Sequence, residues 1–373
     1  MGRKIRFTTT DQQRHDPLGC KGAPMRVVAN SLARLPILLA ACALLLAAGG
    51  CERGLDAIIE RGVHRADRDM LTAPDLQVVL CGTGSPLPDA ERAGACTAII
   101  AGGRVYLVDV GPGAWETLDL AGVPTGALGG VLLTHFHSDH IGDLGEAITQ
   151  SWINGRAEPL AIYGPAGTAR VVDGFTQAYA QDADYRTAHH GEAYMPRAAA
   201  PAVAHEVALG DGEAADAVVF DRDGLRVTMF RVDHDPVHPA VGYRFDYAGR
   251  AVVVSGDTAK TRSVVTHATG ADLLIHEALN REMMGRVAEV AKRVGAPRIG
   301  KMAHDTLDYH ASPVEVAEVA RAAGVPTLVF THVVPGPSNF LMRRMFLAGV
   351  GDVFSGEVVL GEDGQRFSLP PKR

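Results

Sequence analysis

Residues 134–140 read Thr-His-Phe-His-Ser-Asp-His and directly follow the apolar segment Gly130-Val131-Leu132-Leu133. This motif places four metal-ligand side chains at the end of a predicted buried strand: His135, His137, Asp139 and His140. Because alternate residues of an extended segment point the same way, the first two histidines can share one metal ion. The Asp-His pair then faces a second ion. Imidazole with carboxylate favours zinc, with manganese or iron as substitutes.

Two metal ions need further ligands, and three candidates occur where later apolar strands end. His234 follows a strand predicted at 227–232, Asp257 follows 251–256, and His332 follows 328–331. Polar residues at strand ends are where α/β folds place their chemistry. His238 competes with His234 for the same role, and the sequence leaves that choice open.

The rest of the chain has 47% hydrophobic and 21% charged residues in a total of 373, which is ordinary globular composition. Strands are predicted at 76–80, 96–101, 105–110, 130–133, 218–221, 226–233, 241–246, 251–255, 273–276 and 327–331. Helices are predicted at 114–121, 141–154, 166–181, 281–294, 313–323 and 338–348. Strands with helices outside in both halves favour a four-layer αββα sandwich of two mixed sheets. The Ala- and Pro-rich stretch 187–212 is predicted to be a surface insertion near the site.

The motif at 134–140, together with Asp233-His234, Ser255-Gly256-Asp257-Thr258 and Thr331-His332, resembles the metallo-β-lactamase-fold hydrolases. The resemblance covers about residues 76–370. Three further segments are similar to its ribonuclease Z and arylsulfatase-like branch: Ala240-Val241-Gly242-Tyr243-Arg244, His276-Glu277-Ala278 and His310-Ala311-Ser312. The resemblance implies a dinuclear zinc hydrolase that acts on ester bonds.

The resemblance also implies a role for each ligand. The first zinc would be held by His135, His137 and His234. The second would be held by Asp139, His140 and His332, with Asp257 bridging the two ions. Asp109, which follows the apolar stretch Val105 to Val108, matches a position that braces the histidine loop.

The implied chemistry is attack by a hydroxide shared between the two zinc ions, because zinc lowers the pKa of bound water to about 7. Asp139 would orient the water or take its proton. His310 would protonate the leaving oxygen, with Glu277 orienting its ring. The alternative for His310 is to cap the helix that begins at Ser312-Pro313. His276 and Tyr243 are expected to be structural.

Two features bear on the substrate. Ribonuclease Z proteins grip tRNA with a long arm inserted after the Gly-Tyr-Arg strand, whereas here 245–256 has room only for a tight hairpin. The formal net charge is −7, which is unlike a basic nucleic-acid-binding domain. The region 141–215, with Trp152 and His189-His190, is predicted to shape a smaller pocket instead.

The main prediction is therefore hydrolysis of a phosphodiester or sulfate ester on a small molecule, with nucleic acid disfavoured. The alternatives are a ribonuclease Z-like 3′-tRNA endoribonuclease and a lactone or thioester hydrolase. A binding protein without turnover is disfavoured because no expected ligand is missing. A homodimer is left open.

Residues 1–51 are predicted to be a signal and lipoprotein leader. Basic residues precede an apolar run at 35–48, and Gly49-Gly50-Cys51 follows it. The run has roughly 14 residues, whereas a membrane-spanning helix needs about 20. We expect export to the periplasmic side of a membrane, with a lipid anchor on Cys51.

Three alternatives stay open for this leader: lipidation of Cys42, a translation start at Met25, and an uncleaved membrane anchor. Residues 52–75 are predicted to form a linker or helix, and 76–373 the hydrolase domain. Only Cys81 and Cys96 then remain in the mature part. One disulfide and two buried thiols are both compatible with the sequence.

Overall fold

The structure is a computed structural model, and it describes residues 50–63 and 66–372. The chain divides into two compact units, Met1–Gly62 and Val63–Arg373. The described part of the first unit belongs to helix α1 (Gly50–Val63). The leader predictions at Cys42 and Met25 lie outside the described residues, and Cys51 falls at the start of α1. Among the described residues, no helix is long and apolar enough to cross a membrane. The division into leader, connector and hydrolase domain stays a prediction.

The second unit is built on two seven-stranded sheets. In chain order the strands are β1 (Leu76–Gly82), β2 (Cys96–Ala101), β3 (Arg104–Val108), β4 (Leu128–Leu132), β5 (Leu160–Gly164), β6 (Ala202–Glu206), β7 (Asp216–Arg222), β8 (Leu225–Arg231), β9 (Val241–Tyr247), β10 (Arg250–Val254), β11 (Leu273–Leu279), β12 (Thr327–Val334), β13 (Glu357–Leu360) and β14 (Arg366–Leu369). The spatial orders are β14-β1-β2-β3-β4-β5-β6 and β13-β12-β11-β10-β9-β8-β7.

Each sheet is antiparallel in one half and parallel in the other. In the first sheet the parallel half begins at the β3–β4 pair, and in the second it begins at the β10–β11 pair. The inner parallel strands, such as β4 and β10, are nearly continuous runs of buried apolar residues, as expected for strands covered on both faces. Their carboxyl ends lie at one edge of each sheet, which is where the chemistry-bearing residues follow.

Helices cover the outer face of each sheet. They are α2 (Asp69–Thr72), α3 (Ala114–Leu120), α4 (Ser138–Ile141), α5 (Leu144–Ile153), α6 (Thr168–His190), α7 (Arg262–Ala268), α8 (Arg281–Arg293), α9 (Pro297–Asp305), α10 (Pro313–Ala323), α11 (Phe340–Phe346) and α12 (Val350–Val353), with 3₁₀ turns at Thr125–Ala127 and Arg197–Ala199. One apolar cluster fills the space between the sheets. Two others lie under the helices, one on each side of the sandwich. The αββα sandwich predicted from the sequence is confirmed.

The structure corrects the prediction for residues 187–212. Helix α6 runs on to His190, and the stretch then supplies the edge strand β6. No strand pattern is visible in this sequence because β6 is a mostly exposed edge strand, in which only the small Ala202 and Ala204 pack against the core. Helix α9 was also not predicted, although Pro297 at its first position is a typical start signal.

Cys81 of β1 and Cys96 of β2 form a disulfide across a separation of 15 residues. Both cysteines are buried, at neighbouring strands of the first sheet. The structure thus favours the bridge over the two buried thiols.

Reducing this disulfide is expected to lower the free energy of unfolding by about 3 kcal/mol, because a closed loop of this length restricts the unfolded chain. Urea unfolding with and without dithiothreitol measures the effect. A Cys81→Ala/Cys96→Ala variant is the control and should unfold identically in both buffers. Alkylation of both Cys81 and Cys96 in the denatured, unreduced protein, located by peptide mass mapping, would contradict the bridge.

Candidate metal centre

The centre lies where β4 ends and the motif at 134–140 begins. His135, Asp139 and His140 are buried there, and His137 is half-buried. His137 has an extended backbone and precedes α4, so the chain turns from strand to helix inside the motif. That turn directs the four side chains to one point between the sheets.

Among the described residues, five groups of three ligand atoms form at this point, with the atoms of each group within 4.8 Å of one another. Two of these groups match the expected metal sites: His135, His137 and His234 in one, and Asp139, His140 and His332 in the other. His310 belongs to two of the remaining groups, one with His234 and Asp257 and one with Glu277 and His332. Asp257 lies between the two matching groups. Its Oδ2 is 3.4 Å from Nε2 of both His140 and His332, 3.8 Å from that of His234 and 4.0 Å from that of His135. The geometry thus brings together all seven residues that the sequence singled out as ligands.

The residues fit two cations because several buried polar atoms here have no hydrogen-bond partner. Among the described residues these include His140 Nε2, His234 Nε2 and Asp257 Oδ1. In addition, His135 Nε2 and His137 Nδ1 face each other at 3.0 Å. Buried polar atoms without partners carry a large free-energy cost, and a bound cation would satisfy them.

The protonation states favour the same interpretation. Burial, reinforced by the neighbouring His140, holds the pKa of His135 well below its usual value, which leaves a neutral imidazole free to bind a metal. Burial alone would raise the pKa of Asp257. His332 and His140 outweigh burial and hold that pKa well below its usual value, so the central carboxylate is ionised.

A carboxylate behind the centre fixes one ligand. Asp109 follows β3 and adopts a left-handed backbone with φ of 58°. Its Oδ2 lies 2.8 Å from His140 Nδ1 and accepts a hydrogen bond from the Thr134 hydroxyl, while its Oδ1 accepts one from the Thr134 amide. The contact with Asp109 orients the His140 ring with Nε2 towards the centre, which is the bracing role that the resemblance implied for Asp109.

His332 reaches the centre through a β-bulge. In the β11–β12 ladder Glu277 pairs with Thr331 and Ala278 pairs with Val333, so His332 is the extra residue. Its φ is 42°, in the left-handed region that is costly for a non-glycine residue. The bulge turns the His332 ring towards Asp139, whose Oδ2 is 3.1 Å from His332 Nε2.

His310 and Glu277 form the pair that the sequence predicted. Glu277 Oε1 accepts hydrogen bonds from the Thr258 and Ala311 amides and lies 3.1 Å from His310 Nδ1. The carboxylate thus places the proton on Nδ1 and leaves Nε2 free. Helix α10 is capped by Ser312 in a capping box with Glu315, so His310 is not its cap.

The open choice between His234 and His238 is decided by position. His234 is buried, and its Nδ1 lies 3.1 Å from the Tyr309 carbonyl. His238 is exposed and pairs with Asp235. The two residues expected to be structural lie outside the two ligand groups: Tyr243 donates to the Leu133 carbonyl at 2.6 Å, and His276 Nδ1 contacts the Glu277 carbonyl.

A cavity of about 470 Å³ opens directly over the centre. The predicted pocket wall at 141–215 does not line it. Trp152 of that region is buried and donates to the Pro196 carbonyl, while His189 and His190 are exposed. The wall comes instead from α8 and α9, which the sequence analysis did not connect with the site. The available signal was the apolar spacing Ile299, Met302, Ala303 on α9.

Comparison with known proteins agrees with this geometry. Residues 104–333 match the beta-lactamase superfamily domain. Ribonuclease Z of Mycobacterium bovis (strain BCG / Pasteur 1173P2) is 38% identical over 303 residues, which cover 80% of this chain and 100% of that protein. Ribonuclease Z of Mycobacterium marinum (strain ATCC BAA-535 / M) is 37% identical over 297 residues, covering 79% and 99%.

Solved structures share the fold. The short form of human tRNase Z superposes with a TM-score of 0.57 at 24% identity, covering 79% of this chain and 100% of that one. The metallo-beta-lactamase fold protein YhfI of Bacillus subtilis gives 0.54 at 22% identity, covering 79% and 99%. The chain belongs to the metallo-β-lactamase-fold hydrolases, in their ribonuclease Z branch.

Replacing Asp109 by Asn is expected to weaken metal binding by about 10- to 100-fold, because the amide no longer fixes the His140 ring. Metal competition with a chromophoric chelator measures the change. The matched control is Asp143→Asn, which changes a half-buried carboxylate bonded to the Trp115 amide and not to the centre. Equal metal affinity in the two variants would contradict the bracing role.

Proposed function

We propose that this protein is a metal-dependent phosphodiesterase of the ribonuclease Z type, with RNA as substrate and 3′ processing of tRNA precursors as the first activity to test. The observation that carries the proposal is the Glu277–His310 pair, which lies beside the two matching ligand groups and the Asp257 carboxylate between them. The identity of about 38% with proteins named ribonuclease Z supports the choice of phosphodiester. Zinc is the expected metal because the ligands are imidazole and carboxylate.

Two bound metal ions would supply an activated water at neutral pH and offset negative charge on the phosphate. Asp139 lies at the cavity floor, where its free oxygen can orient that water. His310 lines the same cavity, and because its Nδ1 is held by Glu277, its Nε2 is the atom that can give a proton to the leaving oxygen. Glu277 holds the His310 ring in place and stabilises it when it carries both protons.

The expectation that nucleic acid is disfavoured is not supported by the comparisons. The hairpin between β9 and β10 has only a short turn, so no arm is inserted there. However, the match of 303 residues spans the whole of the Mycobacterium bovis relative. A protein named ribonuclease Z is therefore about as long as the matched part of this chain. In addition, residues 281–305 beside the cavity carry six Lys and Arg against three Asp and Glu. This local excess offsets the acidic total near the site.

Hydrolysis of a small ester is the second candidate. The apolar cavity wall favours it, since small-molecule sites are lined mainly by apolar side chains. A phosphodiester or sulfate ester suits the His310 proton donor, and a lactone or thioester could use the same ligands.

Export with a lipid anchor is a separate proposal, supported by the apolar run at 35–48 and Cys51. The Cys81–Cys96 bridge is consistent with it, because disulfides persist in oxidising compartments. RNA processing would instead need access to cytoplasmic substrates, so the two proposals constrain each other.

A substrate panel on purified, metal-counted protein tests the main proposal. We expect cleavage of bis-p-nitrophenyl phosphate and of a tRNA precursor with an unprocessed 3′ end. An aryl sulfate, an acyl-homoserine lactone and a cephalosporin should react more slowly. Faster cleavage of the lactone or cephalosporin than of both phosphodiesters would overturn the proposal.

His310→Ala is expected to lower kcat by about 10²- to 10⁴-fold, which is the usual contribution of a general acid. Two metal ions should remain bound, as counted by mass spectrometry under native conditions. His238→Ala is the control, because that histidine is exposed and belongs to none of the ligand groups. Loss of one metal in His310→Ala would instead make His310 a ligand.

A further inference from the structure

The cavity over the metal centre has two chemically different parts. Its floor is formed by His137, Asp139, Asp257, His310 and His332. Its walls are mostly apolar and include Leu87, Met284, Val287, Ile299, Met302 and Ala303. A volume of about 470 Å³ lies within the range of small-molecule sites, which is about 300–1,000 Å³.

The hairpin of α8 and α9 supplies most of the apolar wall. On α9, Ile299, Met302 and Ala303 are spaced i, i+3, i+4 and so share one helix face. Ala303 of α9 and Met284 of α8 are buried in one cluster with Leu279 and Val334. This cluster anchors the hairpin to the ends of β11 and β12.

Ile299 and Met302 remain 58% and 61% exposed although they are large and apolar. Both line the same cavity as the residues of the metal centre, and an exposed apolar patch of this kind is unusual enough to be informative. Contiguous exposed apolar side chains beside a catalytic centre mark a binding surface.

The wall is poorly suited to a second phosphate or a sugar chain. None of the described residues that line the cavity is Lys or Arg. Its polar groups above the floor are few, chiefly Ser138, Thr306 and Tyr309. A ligand that places an uncharged aliphatic group against the wall would bury apolar surface without losing hydrogen bonds to water.

We propose that the α8–α9 wall is a subsite for the aliphatic group of a phosphoester whose phosphate lies at the metal centre. This rests on the phosphodiester chemistry proposed above and not on RNA as the substrate. Under this proposal, small phosphoesters that carry an alkyl group are also ligands of the site.

Isothermal titration calorimetry with linear alkylphosphonates tests the subsite without any turnover. Each fully buried methylene should tighten binding about fourfold. From methyl- to hexylphosphonate, the Kd is therefore expected to fall by at least about 50-fold on metal-loaded protein.

Two variants of the same hairpin provide the contrast. Ile299→Gln/Met302→Gln changes the wall and should remove most of the dependence on chain length, leaving the Kd of methylphosphonate within about twofold. Val290→Gln/Val294→Gln changes two residues that are 42% and 70% exposed but do not line the cavity. This control should keep the wild-type dependence.

Three outcomes would overturn the subsite. One is an equal Kd for all alkylphosphonates. Another is tighter binding of cytidine monophosphate over ribose 5-phosphate with no gain from methyl to hexyl, which would assign the wall to a nucleobase. The third is a dimer in light scattering that only the Ile299/Met302 variant dissociates, because the wall would then be a protein interface. The proposed function fails separately, if metal-loaded protein does not cleave bis-p-nitrophenyl phosphate.

Discussion

The structure depends on how the negative charge of one buried carboxylate, that of Asp257, is balanced by its surroundings. Asp257 is almost fully buried, and its Oδ2 lies within 4.0 Å of ring nitrogens from four histidines. An isolated carboxylate in such a place would be strongly destabilising, and here the neighbouring His332 and His140 hold its pKa well below the usual value. Cations on either side of Asp257, as proposed, would satisfy both the carboxylate and the imidazole nitrogens. The proposed metal positions would therefore set the charge balance of the site.

Meeting this constraint requires several strand ends to converge within a few ångströms. The sandwich achieves this by ending β4, β8, β10 and β12 near one another, with each ligand just after or inside its strand. Two of the converging residues adopt left-handed backbone conformations, Asp109 and His332. Tyr243 ties the two sheets together by donating to the Leu133 carbonyl, one residue before the motif begins. Local backbone strain at the site is thus held in place by packing around it.

The ligands could be predicted from sequence because each combines a distinctive residue type with an apolar strand before it. The motif at 134–140 and Asp257 needed no knowledge of the fold. The choice between His234 and His238 did need it, since both follow the same strand and only burial separates them. The bulge at His332 could not be predicted from the sequence either, because the register of β12 is decided by its pairing with β11.

The cavity wall could not be predicted for a different reason. Helices α8 and α9 follow β11 in sequence, but their apolar faces are typical of any amphipathic helix packed on a core. Only their place over the metal centre gives Ile299 and Met302 a functional meaning. The predicted wall at 141–215 is wrong because aromatic and histidine residues alone do not distinguish a site from a core or a surface. In the structure Trp152 serves a buried local cluster instead.

The central claim is that Asp257 separates two metal positions, and anomalous diffraction at the zinc absorption edge tests it most directly. Crystals of protein purified without chelator should give two peaks about 3.5–4 Å apart. One should lie among His135, His137 and His234, and the other among Asp139, His140 and His332. A single peak, or none in protein that cleaves phosphodiesters, would contradict the account.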